Sequence, residues 1–335
     1  MKILLTGASG FLGRYIAKLA LRRGYLIRSL ARKQCAELHA LGVEERCGDL
    51  ADHATVMEAV KDCDAVIHTA ALAGIWGRRE DFIRTNVRGT ANIVDACTKL
   101  GTPHLVYTSS PSVVFDGRDL RNVDEKTPYP SQFNADYPDT KSAAEDIVLK
   151  SDSSRLRTLA LRPHLLWGPG DHHIAHRLLD RTRRGYFILP GDGRNLIDAV
   201  YVENAAQAHL DALDALQLRS REVSGRAYFI TNHEPVEVGH FIRKMMECYG
   251  APPFKFINIP KSWAQSLGAA IEAYYRRLDL EKEPPLTKFV AAQLACDHYF
   301  NGQAAERDLG YKPKFTMQHA YELLQEFKGT WMAPN

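Results

Sequence analysis

Residues 1–13 read MKILLTGASGFLG, and this stretch decides the fold. An apolar run at residues 2–6 passes directly into Gly7, Gly10 and Gly13, and a run with helical periodicity follows. Glycines at this spacing allow a tight turn, close approach of a ligand to the backbone, and packing of the helix against the strand. Free N–H groups and the positive dipole end at the helix start attract phosphate. The stretch therefore predicts the first βα turn of a parallel sheet and a site for the pyrophosphate of a dinucleotide.

Strand and helix patterns alternate outward from this turn. Apolar runs rich in Val, Ile and Leu alternate with longer helical patterns, which is typical of βαβ units around a buried parallel sheet. The predicted fold class is therefore α/β, a doubly wound parallel sheet of the Rossmann type. We predict strands at 2–6, 26–30, 44–47, 65–68, 104–108 and 158–162, and helices at 11–23, 55–61, 81–100 and 138–150.

The regular alternation breaks after about residue 162. Gly/Pro loops, such as those at 168–170 and 190–193, then separate helices and short strands. We predict two domains from this change. Residues 1–165 are predicted to form a dinucleotide-binding Rossmann domain, and 166–335 a smaller α/β substrate lobe with segments that return to the sheet.

Composition excludes several other classes of protein. The chain has 335 residues, 45% of them hydrophobic, and its 43 basic and 40 acidic side chains give a net charge of +3 without long runs of one sign. This argues against a nucleic-acid partner. The six cysteines show no CxxC pair or dense spacing, and no apolar stretch approaches the length of a membrane span. We therefore expect reduced thiols, no transmembrane segment and a cytoplasmic location.

One later segment leaves its role open. Residues 261–280 read as an amphipathic helix whose apolar side chains are available for one face. Packing on a core and weak contact with a membrane surface or a partner are both compatible with that pattern. The apolar side chains are Trp263, Leu267, Ile271, Tyr274 and Tyr275.

The residues after the second strand indicate which dinucleotide binds. An NAD enzyme carries a carboxylate there for the ribose 2′-hydroxyl, whereas this chain has Arg32 and Lys33. A guanidinium can bond a 2′-phosphate bidentately, so NADP(H) is favoured over NAD(H).

Residues after the third and fourth strands complete the expected cofactor site. Asp49 can accept from the adenine amino group, and the small residues that begin at Thr69 let a cofactor lie close. The predicted cofactor-binding residues are Gly7, Ser9, Gly10, Phe11, Leu12, Gly13, Arg32, Asp49, Leu50, Ala70, Tyr137, Lys141 and Pro163.

Candidate catalytic residues surround the end of the fifth strand. Tyr137 and Lys141 are one helical turn apart, with Pro138 suited to the first turn. A nearby ammonium lowers the pKa of a phenol, which would fit Tyr137 for proton transfer near neutral pH. Ser110 ends the strand, where its hydroxyl can bond the oxygen of a reacting carbon, and Asn86 on the preceding helix can hold a proton-relay water.

These motifs together resemble the extended short-chain dehydrogenases/reductases over essentially the whole chain. The glycine turn, Asp49, the run NVRGT at 86–90, YTSS at 107–110 and the Tyr/Lys pair appear in the order of that family. The resemblance implies that Tyr137 is the general acid/base, that Lys141 bonds the nicotinamide ribose and tunes Tyr137, and that Ser110 holds the substrate oxygen. It also suggests a homodimer, and assembly with other enzymes of a pathway stays open.

Further motifs resemble one branch of this family. LRPHLLWGPGD at 161–171 and DAVYVENAA at 198–206 are similar to the 3β-hydroxysteroid and sterol-4α-carboxylate 3-dehydrogenases. Within the branch, AALAGIWG at 70–77, YTSSPSV at 107–113 and EPPLTKF at 283–289 resemble the 2-alkyl-3-oxoalkanoate reductases of bacterial olefin biosynthesis. The resemblance implies a lipid-like substrate, either a β-keto or β-hydroxy acid or a sterol.

Three other interpretations have weaker support in the sequence than a reductase of this branch. Nucleotide-sugar epimerases share the fold but resemble an Arg-x-x-Asn pattern, where this chain has Arg162 and then Leu165. A non-catalytic NADP(H)-sensing module would be free to lose the Tyr/Lys pair, which is present. A metal site is not predicted, because no HExxH or second carboxylate accompanies the cluster Asp171, His172, His173 and His176.

Overall fold

The computed structural model describes residues 1–171 and 174–327. Its strands are β1 (Lys2–Thr6), β2 (Leu26–Ala31), β3 (Glu44–Cys47), β4 (Ala65–His68), β5 (His104–Thr108), β6 (Leu120–Val123), β7 (Arg157–Pro163), β8 (Leu166–Trp167), β9 (Tyr186–Pro190), β10 (Leu196–Ile197), β11 (Val200–Tyr201), β12 (Arg226–Ile230), β13 (Val236–Glu237), β14 (Lys255–Ile259) and β15 (His298–Phe300).

The helices fill the connections between these strands. They are α1 (Phe11–Arg22), α2 (Ala36–Ala40), α3 (His53–Val60), α4 (Arg79–Phe82), α5 (Gly89–Leu100), α6 (Asp136–Lys150), α7 (Ile174–Thr182), α8 (Val202–Val223), α9 (Val238–Cys248), α10 (Lys261–Arg277), α11 (Lys288–Ala295) and α12 (Met317–Glu326). No helix in the described ranges is long and apolar enough to cross a membrane.

A seven-stranded parallel sheet forms the centre of the molecule. Its order is β12-β7-β5-β4-β1-β2-β3, and every neighbouring pair is parallel. The strand order reverses between β1 and β4, so a crevice opens there at the carboxyl ends of the strands, where open α/β sheets bind ligands. The predicted α/β, doubly wound fold is confirmed.

Alternate residues of β1 show why both faces of the sheet are covered. Ile3 and Leu5 pack into a core with α1 and α8, while Leu4 packs into a second core with α3, α5 and α6. All three side chains are fully buried, as expected for a central strand covered by helices on both faces.

The C-terminal half contributes smaller sheets and one strand of the large sheet. β6, β10, β13 and β15 form a mixed four-stranded sheet, and the pairs β8–β11 and β9–β14 are separate. β12 returns to the edge of the seven-stranded sheet beside β7. The division of the chain at 165/166 stays a prediction.

Two predicted helices differ from the structure. The single helix expected at 81–100 contains a π-helical segment at Ile83–Arg88 between α4 and α5. The helix expected at 261–280 ends at Arg277, and its apolar residues do not share one packed face. Ala264 and Gly268 are the buried residues, whereas Trp263, Leu267 and Tyr274 are exposed.

Candidate active site

The glycine turn has the geometry that the sequence predicted. Gly7 has a φ of +70°, and Gly10 N donates to Gly7 O at 2.9 Å. A Cβ on Gly13 would lie 2.1 Å from Gly7 O, so only glycine fits between the turn and the helix. Gly10 caps α1 without a side-chain hydrogen bond, which leaves N–H groups at the helix start available to an anion.

The other predicted cofactor-binding residues lie in the glycine turn, on α1 and at the ends of neighbouring strands. Ala70 N donates to Thr6 Oγ1 at 3.2 Å, which ties the end of β4 to β1. Pro163 is the buried last residue of β7, and Phe11 opens α1 beside Gly170. Ser9 and Leu12 belong to the glycine turn and to the buried side of α1, respectively.

Lys141 is almost completely buried at the carboxyl end of β5. Its Nζ donates to Thr108 O at 2.6 Å and lies 4.2 Å from the centroid of the Tyr107 ring. Burial lowers the pKa of Lys141 to about 7, and the charge of Glu145 opposes that shift. The ammonium is therefore held by a carbonyl, an aromatic face and a carboxylate one helical turn away.

Tyr137 lies one turn before Lys141 on α6, as the spacing predicted. Burial raises the pKa of Tyr137, and a hydrogen bond from Ser110 opposes the rise. The lowered pKa expected for Tyr137 is not found in this structure, because removal of the phenol from water dominates and Lys141 Nζ donates to Thr108 O. Ser110 Oγ also accepts from Ser112 N and Oγ, at 3.2 and 2.9 Å.

Asn86 connects three parts of the site. It lies in the π-helical segment, where its Oδ1 accepts from Leu72 N at 2.7 Å. Its Nδ2 donates to Leu72 O at 3.3 Å and to Thr140 Oγ1 at 3.1 Å. Asn86 thus ties the loop after β4 to α6, and its role in holding a relay water stays a prediction. π-Helical segments occur often at functional sites.

The adenosine end presents two cations and one carboxylate. Arg32 and Lys33 follow β2, are exposed, and have no hydrogen bond or ion pair from their side chains in the described part of the chain. Asp49 Oδ1 accepts from Ala51 N at 2.9 Å, and its Oδ2 pairs with Arg84. Leu50 is buried beside it. Free cations next to the end of β2 fit a 2′-phosphate.

The structure contains a buried ion pair next to Lys141 that was not predicted from the sequence. Glu145 accepts from Arg162 Nε and Nη2 at 3.0 and 2.5 Å, and from Tyr129 Oη at 2.6 Å. Glu145 is fully buried. The spacing Tyr137, Lys141, Glu145 was the available signal, because residues four apart share a helix face. Its partner Arg162 lies on β7 and has no local signal.

The cluster Asp171, His172, His173 and His176 lies partly outside the described residues, since His172 and His173 are not described. Asp171 Oδ1 and Oδ2 accept from Ile174 N and Ala175 N, both at 3.0 Å. Among the described residues, no group of three or more candidate ligands could hold a metal ion.

Comparisons with known proteins agree with this geometry. Residues 4–261 match the sequence pattern of the 3-beta hydroxysteroid dehydrogenase/isomerase family. The chain is 40% identical to 2-alkyl-3-oxoalkanoate reductase of Shewanella oneidensis, over 96% of this chain and 84% of that protein. It is 39% identical to the Stenotrophomonas maltophilia protein of the same name, over 97% of this chain and 98% of that protein.

A solved structure of UDP-glucose 4-epimerase with UDP-glucose from Thermotoga maritima superposes on this chain with a TM-score of 0.76 over 98% of both chains. The two sequences are 17% identical, so this similarity shows the fold alone. The chain therefore belongs to the 3-beta hydroxysteroid dehydrogenase/isomerase family, and it is an NAD(P)-dependent oxidoreductase that interconverts ketones and alcohols.

Proposed function

We propose that the protein uses NADPH to reduce a 2-alkyl-3-oxoalkanoate to the 2-alkyl-3-hydroxyalkanoate. The observation that carries the proposal is the convergence of Ser110, Tyr137 and the buried Lys141 at the carboxyl end of β5. This end lies two strands from the glycine turn after β1. Two relatives with the name of this activity match nearly the whole chain.

The side chains act on the oxygen of the substrate. Bound NADPH would supply a hydride to the carbonyl carbon. Ser110 donates a hydrogen bond to the carbonyl oxygen, and Tyr137 delivers its phenolic proton to that oxygen as it becomes an alkoxide. The positive charge of Lys141 stabilises the resulting phenolate. The reverse direction returns the proton to Tyr137 and oxidises the alcohol with NADP⁺.

The burial of Tyr137 and Lys141 supports these two roles. Tyr137 has a raised pKa, so it stays protonated near pH 7 and is ready to act as an acid. Lys141 has a pKa of about 7, so a small change in its surroundings alters its charge. A ribose hydroxyl that accepts from Lys141 would favour its charged form and thereby couple cofactor binding to the acidity of Tyr137.

NADP(H) is the proposed cofactor because of the adenosine end. Arg32 and Lys33 present unpaired cations after β2, and this position has no carboxylate to bind a 2′-hydroxyl. We expect Arg32→Glu to raise the KM for NADPH strongly and to leave the KM for NADH unchanged or lower. An unchanged ratio of the two KM values would argue against this cofactor assignment.

A buried apolar cluster lies next to Ser112. Val113 and Phe115 pack with Phe289, and the partly buried Ile75 contacts the same cluster. This cluster belongs to the core, so the alkyl-bearing substrate is supported by the two relatives that carry the name of that activity. Cytoplasmic location, a homodimer and assembly with other enzymes of the pathway stay predictions.

The catalytic role of Tyr137 is tested by removing its phenolic oxygen. Tyr137→Phe is expected to abolish turnover while NADPH binding, followed by cofactor fluorescence, is retained. Tyr274→Phe is the matched control, because Tyr274 is exposed on α10 and should lose no activity. Retained turnover in Tyr137→Phe would overturn the role of Tyr137.

The substrate is tested in the oxidative direction, since a β-keto acid decarboxylates during a reductive assay. NADPH formation is followed with a 2-alkyl-3-hydroxyalkanoic acid, a 3β-hydroxysterol and a UDP-sugar. Turnover of the hydroxy acid alone supports the proposal. Turnover of only the sterol or only the sugar would retain the chemistry and reject the substrate.

A further inference from the structure

The aromatic ring of Tyr107 lies against the ammonium of Lys141. Lys141 Nζ is over the face of the ring, 4.2 Å from its centroid. Alternate side chains of a strand point to opposite faces of a sheet. Thr108 Oγ1 bonds His209 of α8 on one face. Tyr107, the preceding residue of β5, therefore points to the other face, where it packs with α6, the helix that carries Lys141.

An aromatic face stabilises a cation most strongly where water is excluded. The face of the ring is negative and its edge positive, so an ammonium within about 6 Å of the ring centre is attracted to the face. Lys141 is 2% exposed and Tyr107 is 1% exposed. Salt screens a buried contact of this kind much less than one in solvent. The pair therefore has the surroundings in which this attraction is largest.

Glu145 on α6 also favours the charged form of Lys141. Its carboxylate already binds Arg162 Nε and Nη2 of β7, at 3.0 and 2.5 Å, and accepts from Tyr129 Oη at 2.6 Å. Because a guanidinium in direct contact offsets most of the field of a carboxylate at a more distant group, little of that field reaches Lys141. Glu145 alone therefore does not compensate for the burial of the ammonium.

Three further titratable groups near Lys141 are uncharged around neutral pH. Burial lowers the pKa of His68 on β4 to about 3, and burial raises the pKa of Tyr137 on α6. Burial also holds the pKa of Tyr107 well above its ordinary value. Within the described part of the chain, the direct contacts of the ammonium are then Thr108 O, at 2.6 Å, and the ring of Tyr107.

The ring of Tyr107, and not its hydroxyl, makes this contact. The hydroxyl is buried and has no hydrogen-bond partner among the described residues. The ring is held in place by packing, since the centroid of the His68 ring lies 5.5 Å from its own. Phenylalanine should therefore preserve the interaction with Lys141, whereas an aliphatic residue should not.

We propose that Tyr107 is a positioning residue for the reduction, and that the face of its ring keeps Lys141 charged next to Tyr137. This inference rests on the proposed reaction, in which the positive charge of Lys141 stabilises the phenolate of Tyr137. A carboxylate in place of the ring would also hold the ammonium, but its negative charge would oppose formation of the phenolate. An aromatic face holds the cation without adding a net negative charge.

A titration of Lys141 tests this proposal. The full-length protein, first alone and then saturated with NADPH, is labelled with carbon-13 at lysine Cε and titrated by NMR, and Lys141→Met assigns the signal. In Tyr107→Leu the pKa of Lys141 should fall by about one unit or more, because a buried cation loses its aromatic face. Tyr228→Leu is the matched control, since Tyr228 is also 1% exposed, on β12 of the same sheet. It should leave this pKa unchanged.

A second series keeps the shape of the ring, so it remains informative if Tyr107→Leu does not fold. Phenylalanine, 4-fluorophenylalanine and 3,4,5-trifluorophenylalanine at position 107 make the face of the ring progressively less negative. Tyr107→Phe should keep the wild-type pKa of Lys141, and each fluorinated residue should lower it further. The size of the side chain changes little along this series, so a packing defect would not produce that order.

Turnover separates this role from a purely structural one. At pH 8, kcat for oxidation of a 2-alkyl-3-hydroxyalkanoic acid should fall by up to about tenfold for each unit by which the pKa of Lys141 falls. An unchanged pKa in Tyr107→Leu and in the fluorinated series overturns the proposal, and so does a lower pKa with unchanged kcat. An equal fall in Tyr107→Phe would assign the effect to the hydroxyl and also overturn it. The NMR titration needs no substrate, so its failure leaves the proposed reaction standing.

Discussion

Replacing Lys141 by Met is expected to stabilise the folded protein at pH 7 while it abolishes turnover. Lys141 is 2% exposed, and burial lowers its pKa from 10.5 to about 7. Each pKa unit corresponds to about 1.4 kcal/mol, so at pH 7 the buried amine costs the folded state about 4 kcal/mol. Methionine avoids this cost but loses the hydrogen bond to Thr108 O, which contributes about 1 kcal/mol. The expected net gain in the free energy of unfolding is roughly 2–3 kcal/mol at pH 7.

The protonation of Lys141 determines how the free energy of unfolding changes with pH. Unfolded Lys141 binds a proton up to a pH near 10.5, whereas the folded residue binds one only up to about 7. Between these values the unfolded state binds more protons, so the stability of the wild type rises with pH. The advantage of Lys141→Met should therefore shrink by about 2 kcal/mol between pH 7 and pH 9.

Urea unfolding at pH 7, 8 and 9 measures this difference, because the other titrating groups cancel between wild type and variant. Lys150→Met is the matched control, since Lys150 ends the same helix with its side chain 76% exposed. It should change stability by less than about 0.5 kcal/mol at every pH. The reasoning is refuted if Lys141→Met is less stable than the wild type at pH 7, or if their difference does not change with pH.

Three further predictions concern buried groups. His68 is fully buried and its pKa is lowered to about 3, so below pH 6.5 the unfolded state binds a proton that the folded state does not bind. The free energy of unfolding should therefore fall on acidification, and His68→Gln should reduce this fall in acid titrations followed by circular dichroism. Glu145→Gln leaves Arg162 buried without its carboxylate and should cost about 3–5 kcal/mol in urea unfolding, and a second change, Arg162→Met, should recover part of it; full stability of the single variant would contradict the assigned pair. Gly13→Ala places a Cβ 2.1 Å from Gly7 O and should abolish NADPH binding measured by fluorescence, so retention of wild-type affinity would show that the turn can open without loss of the site.

Local pattern predicted the elements of the sheet closely. β1, β4 and β5 begin and end where the apolar runs do, since a central parallel strand is apolar on both faces and glycines or polar residues bound it. Tyr137 and Lys141 also lie one turn apart on a helix, as their spacing required. The π-helical segment around Asn86 was not predicted, because it spans only six residues within a longer helical run and has no sequence signature of its own.

The sequence by itself determined the doubly wound sheet, the glycine turn and the set of candidate catalytic side chains, because these depend on periodicity and on conformations available to single residues. Only the tertiary structure decided that Glu145 pairs with Arg162, that Lys141 bonds Thr108 O, and that Trp263, Leu267 and Tyr274 of α10 face outward. Glu145 and Arg162 are 17 residues apart, and α10 buries Ala264 and Gly268 because another helix lies there. Burial and charge compensation depend on neighbours in space, and one stretch of sequence does not contain that information.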